Sequence, residues 1–177
     1  MAEGSERSLQ MLAAALEKED KGREFYRDAA AKCTNDLAKE IFRILTSEEG
    51  VHITRIKVIY SALEGGKSWS QEWKAHKQEN ADLQSLLRER SRKLESSVKG
   101  ETSELKAVDI GIGMEEGSIK FYSDQLAKAV DPLEKEFVDQ MIGEERSHLR
   151  SLEDLKLFLT NPDSWYIEKE HHGLDGA

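Results

Sequence analysis

The feature that most restricts this chain is a doubled motif: Glu49-Gly50-Val51-His52 and Glu145-Arg146-Ser147-His148, set 96 residues apart. The same offset carries Glu19 onto Glu115, Phe25-Tyr26 onto Phe121-Tyr122, Lys39-Glu40 onto Lys135-Glu136, and Glu48 onto Glu144. A constant offset over several residue types marks an internal repeat, and repeats of this length are supersecondary units that stack on one another. Each half reads as a helical hairpin, and two hairpins build a bundle. The expected fold is therefore all-α, a four-helix bundle of two repeated hairpins.

Start and stop signals place the elements. The first helix is expected from Ser5 or Ser8 to Lys32 and the second from Asn35 to Leu63, ended by Gly65-Gly66, where positive φ costs little. The third should run from Thr102 or Ser103 to Val130. Asp131-Pro132 opens the fourth, with Glu134 expected to complete a capping box, and Asn161-Pro162 closes it. The halves span about 8–63 and 103–159 within a domain covering 1–160. The crossover, 64–102, holds an expected short helix from Ala81 to Val98, and 161–177 is a C-terminal tail. A connection of that length returns the chain to the far end of a bundle.

Glutamates stand where leucines are expected. In the third helix Leu105, Val108, Ile112, Glu115, Ile119, Tyr122 and Leu126 share one stripe, with Glu115 the single acid. Glu19 interrupts the stripe of the first helix, Glu49 and His52 that of the second, and Glu145 and His148 that of the fourth. A buried carboxylate without compensation costs several kcal/mol or takes up a proton. Residues three apart lie on one helix face, so each Glu-x-x-His can grip one ion from a single helix. Four carboxylates at Glu19, Glu49, Glu115 and Glu145 balance two divalent cations. The mixed carboxylate and imidazole donors suit iron or manganese better than a thiolate-seeking metal. Tyr26 and Tyr122 follow Glu19 and Glu115 by seven residues. They are candidate catalytic side chains, each leaning back to hydrogen-bond a ligand carboxylate. Glu48 and Glu144 are expected to face outward, towards solvent.

A formal net charge of -9 excludes nucleic acid and anionic membrane as main partners. The single cysteine, Cys33, excludes a disulfide framework and a site of four thiolates. The apolar run Met11 to Leu16 is too short for a secretory signal, so the expected compartment is the cytoplasm. Gly111, Gly113 and Gly117 inside the third helix call for close approach by another helix, one from a homodimer partner included. Trp69, Trp73 and His76 are expected to pack the crossover on the bundle. The tail with Glu168, Glu170, His171 and His172 reads as a partly ordered terminus rather than a metal site.

The segments Glu19 to Tyr26, Glu49 to His52, Glu115-Glu116-Gly117 through Phe121-Tyr122, and Glu145 to His148 resemble the rubrerythrin-like branch of the ferritin-like superfamily. The resemblance covers roughly residues 8–160. It implies two iron ions, with manganese or a mixed pair as alternative occupants, held by Glu19, Glu49, His52, Glu115, Glu145 and His148. It implies reduction of hydrogen peroxide or dioxygen as the ferrous pair is oxidised. Two departures stand out. Full rubrerythrins carry a four-cysteine rubredoxin-like domain, which these residues cannot form, so turnover needs a separate electron donor protein. They also place a further glutamate three residues after the third helix's ligand, where this chain has Ser118, whose repeat mate is Gly22. A non-catalytic iron-binding or storage protein is the alternative function.

Overall fold

The computed structural model describes residues 3–77, 85, 102–165 and 167 of the chain. Among them are four long helices: α1 (Glu3–Lys32), α2 (Asp36–Glu64), α3 (Thr102–Leu126) and α4 (Pro132–Thr160). A 3-10 turn, Glu72–Ala75, follows α2. Helix α1 packs on α2 and α3 on α4, so the two hairpins form the ferritin-like four-helix bundle. No helix among the described residues is long and apolar enough to cross a membrane. The expected helix from Ala81 to Val98 and the tail residues Glu168, Glu170, His171 and His172 lie outside the described residues.

Local chemistry sets the ends. Asn35 caps α2, its side chain accepting from the Ala38 amide at 3.0 Å. At the other end Gly66 takes φ 77°, and the Lys67 and Gly66 amides return to the Ala62 and Leu63 carbonyls, each at 3.0 Å. Asp131 caps α4 with Pro132 in the first turn, accepting from the Leu133 amide at 2.7 Å. The expected capping box does not form. Glu134 is buried and receives Arg7 at 2.5 Å and Ser8 Oγ at 3.2 Å from α1, because a guanidinium is a stronger donor than a backbone amide. Ser8 thus ties α1 to α4 rather than starting α1, which begins at Glu3. Helix α3 ends at Leu126, short of Val130, since the chain must uncoil to set Asp131 in its extended capping conformation (φ -66°, ψ 131°).

The apolar core divides into two clusters. One gathers Tyr26, Leu37, Ile41, Phe42, Leu45, Val108, Leu152, Leu155 and Phe158, with Trp165 packed on Phe158. The other gathers Leu12, Ile56, Ile59, Tyr122, Phe137, Met141 and Ile142. Trp73 seals the second cluster, buried with its ring 5.3 Å from that of Phe137, and Trp69 lies 5.9 Å from the same ring. Of the three glycines in α3 only Gly111 meets close neighbours: a Cβ there would lie 3.1 Å from Leu152 and 3.2 Å from Tyr26. Space is open beside Gly113, and near Gly117 only Lys18 Nζ approaches, at 3.8 Å.

Candidate metal centre

Between the two apolar clusters lies a buried polar layer made of Glu19, Glu49, His52, Glu115, Glu145 and His148, each 3% exposed or less. One helical turn of each helix supplies it, α2 and α4 through their Glu-x-x-His and α1 and α3 through single glutamates. Two overlapping groups form: Glu19, Glu49, His52 and Glu145, and Glu49, Glu115, Glu145 and His148. In each group one donor atom per residue lies within 4.8 Å of all the others. Exchanging the two hairpins maps one group onto the other, with Glu49 and Glu145 common to both. The imidazoles of His52 and His148 stack with centroids 5.5 Å apart and planes at 23°.

The spacing is close to that of ligands around ions. His148 Nδ1 is 3.5 Å from Glu49, 3.6 Å from Glu145 and 3.8 Å from Glu115. His52 Nδ1 is 3.0 Å from Glu19, 3.3 Å from Glu145 and 3.5 Å from Glu49. Two donors each about 2.1 Å from a shared metal stand roughly 3.0–3.5 Å apart. Among the described residues His148 Nδ1 and Glu145 Oε1 are buried without a hydrogen-bond partner, a state a buried polar atom tolerates only with another partner to face. The donor set fits a pair of divalent cations.

Protons alone balance the layer differently. Burial, then the charges of Glu49 and Glu145, push Glu19 well above the usual carboxylate range. Burial and the Glu145 charge do the same to Glu115. Burial would also raise Glu49, but the nearby Glu19, His148 and His52 favour its charged form and bring it to about 2, and Glu145 falls by the same kind of balance. Burial disfavours the imidazolium forms of His52 and His148, yet surrounding carboxylates raise both well above the normal value. Imidazolium cations and neutral carboxyls thus stand in for metal charge, and loading cations must displace those protons.

Around this layer the contacts that Tyr26, Tyr122, Glu48 and Glu144 make with its six residues cross between hairpins. Tyr26 of α1 donates its hydroxyl to Glu115 of α3, and Tyr122 of α3 donates to Glu19 of α1 at 2.5 Å. Desolvation, then the adjacent carboxylate charge, raises both phenols well above their ordinary value. Glu48 and Glu144 do not face outward. Glu48 is 7% exposed and meets His148 Nε2 at 2.8 Å. Glu144, its side chain 17% exposed, meets His52 Nε2 at 2.9 Å. Each sits one position off the stripe of its own helix, but in a bundle that flank faces the neighbouring hairpin. The repeat held the signal: the offset keeps both members of each Glu-Glu pair, where a solvated acid has no reason to recur. Arg55 was also missed, and its Nη1 reaches Glu144 at 2.6 Å.

A four-helix bundle whose midline holds two carboxylate and imidazole groups sharing two glutamates is a ferritin-like carboxylate metalloprotein. The family model for rubrerythrin matches residues 10–156, and the chain belongs to that family, which binds a di-iron centre. No curated protein and no solved structure matches the chain.

Proposed function

We propose that the chain is a di-iron carboxylate oxidoreductase that reduces hydrogen peroxide or dioxygen. The observation that carries this reading is the pair of donor groups sharing Glu49 and Glu145, which brings two ions close enough to act on one small molecule. Glu19 and His52 would complete one site, Glu115 and His148 the other. When bound, the iron pair supplies the two electrons of the reduction. Tyr26 and Tyr122 hold the outer carboxylates in place, and the apolar clusters on either side exclude bulk water. A cavity of about 100 Å³ reaches the layer between α1 and α3, bordered by Lys18, Gly22, Met114 and Ser118. It is large enough to admit a molecule the size of peroxide. The carboxyls of Glu19 and Glu115 lie on that cavity's wall, so a small oxidant entering there meets the outer carboxylates of both donor groups. A separate reductant closes the cycle, since the chain's one thiol, Cys33, is engaged with Glu104 and Asn35 at the far end of the first cluster.

The test is anaerobic loading with ferrous iron followed by rapid mixing with peroxide or air. Oxidation that recurs each time a reductant is added supports the reading. A single stoichiometric oxidation without turnover identifies an iron-binding or storage protein instead, and absence of metal uptake overturns both.

A further inference from the structure

The two ends of the polar layer are wired differently, and the difference lies outside the residues that face the ions. On one side Glu144 Oε2 meets His52 Nε2 at 2.9 Å and also takes Arg55 Nη1 at 2.6 Å. Arg55 is buried, and its Nε donates to the His76 carbonyl at 2.6 Å, so the guanidinium is held from two directions. On the other side Glu48 meets His148 Nε2 at 2.8 Å, and among the described residues no lysine or arginine pairs with Glu48. The repeat offset puts Ser151 where Arg55 would recur. That hydroxyl is turned to the Ser147 carbonyl of its own helix at 2.9 Å.

A carboxylate accepting from one imidazole nitrogen makes the other nitrogen a better metal donor. A cation on the same oxygen withdraws part of that density and lowers the negative potential that attracts a divalent ion. We infer that Arg55 is a positioning residue that makes the two ion sites unequal. The group with His148 takes its ion first and more tightly, and the group with His52 takes the second. This rests on the two-ion reading above and specifies how the pair loads.

Anaerobic titration of the full chain with Co²⁺, followed by visible absorption and calorimetry, tests it. The wild type is expected to bind two ions in two steps separated by roughly tenfold or more. His52→Ala should keep the tighter step, and His148→Ala should keep only the weaker. Arg55→Met should tighten the weaker step until the two lie within about threefold, and Arg55→Lys should keep them apart. Two equal steps in the wild type, or a weaker second step in Arg55→Met, overturns the inference while leaving the two-ion reading intact. No Co²⁺ uptake by the wild type overturns both. If Arg55→Met does not fold, Glu48→Gln and Glu144→Gln decide the matter. Glu48→Gln should weaken its step more than Glu144→Gln weakens its own, and equal losses reject the role of Arg55.

Discussion

The interior of this bundle is of two kinds, set side by side and built on opposite terms. The apolar clusters stabilise the fold by burial: Leu12, Leu45, Ile56, Phe137 and Leu152 are all fully enclosed. The polar layer between them opposes folding, because its carboxylates leave water for a site where only protons, imidazoles or metal ions offset their charge. Folding therefore depends on the flanks and function on the middle, and mutations in the two regions should fail in different ways.

The largest expected effect is in the flanks. Phe137→Ala removes a ring on which Trp69 and Trp73 pack and should cost about 3–5 kcal/mol in urea unfolding. The folded fraction should still bind two ions per chain; a loss of metal with stability unchanged would erase the distinction between the regions. Glu145→Leu addresses the middle. It removes a carboxylate common to both donor groups, so ion uptake should vanish. With it should go the metal-dependent gain in stability, about 2.7 kcal/mol for each ion at a free-metal concentration of 100 times its Kd. Metal-free stability should hold or rise, as thermal unfolding with and without ferrous iron will show.

A third comparison uses two glycines of α3. Gly111→Ala drives a methyl group to 3.1 Å from Leu152 and 3.2 Å from Tyr26, at the border of the two regions, and should cost about 1–3 kcal/mol while loosening Tyr26 from Glu115. Gly113→Ala enters open space and should stabilise by roughly 0.5–1 kcal/mol. Equal effects would show that α3 does not approach its neighbours closely at Gly111. The smallest effect concerns Cys33. Burial, then its hydrogen bond to Glu104 and that residue's charge, pushes the thiol up to about 12. The folded state thus favours the neutral thiol. Its contribution is complete below about pH 9 and is lost as pH rises towards 12. Labelling by a thiol reagent at pH 8 should be far slower in native than in unfolded protein.

The layer's six facing residues were legible in the sequence because each breaks an apolar stripe, and a periodic pattern makes an exception conspicuous. The hairpins were legible through the 96-residue offset. What the pattern did not reveal depends on the neighbouring helix rather than on a residue's own. Glu48 and Glu144 occupy flanks that one helix would give to solvent and a second helix covers. Glu134 satisfies a local capping rule on paper, yet Arg7, far away in the chain, offers it a stronger partner. Arg55 interrupts no apolar stripe, and only the placement of Glu144 and the His76 carbonyl gives it a role.

The cross-hairpin contacts carry one further consequence. Tyr26 on Glu115, Tyr122 on Glu19, Glu48 on His148 and Glu144 on His52 each take one member from either repeat. Two identical hairpins meeting about a twofold axis would make all four, but would be bound to make both ends alike. One polypeptide carrying both hairpins is free of that constraint, and here it sets an arginine on one side and a serine on the other.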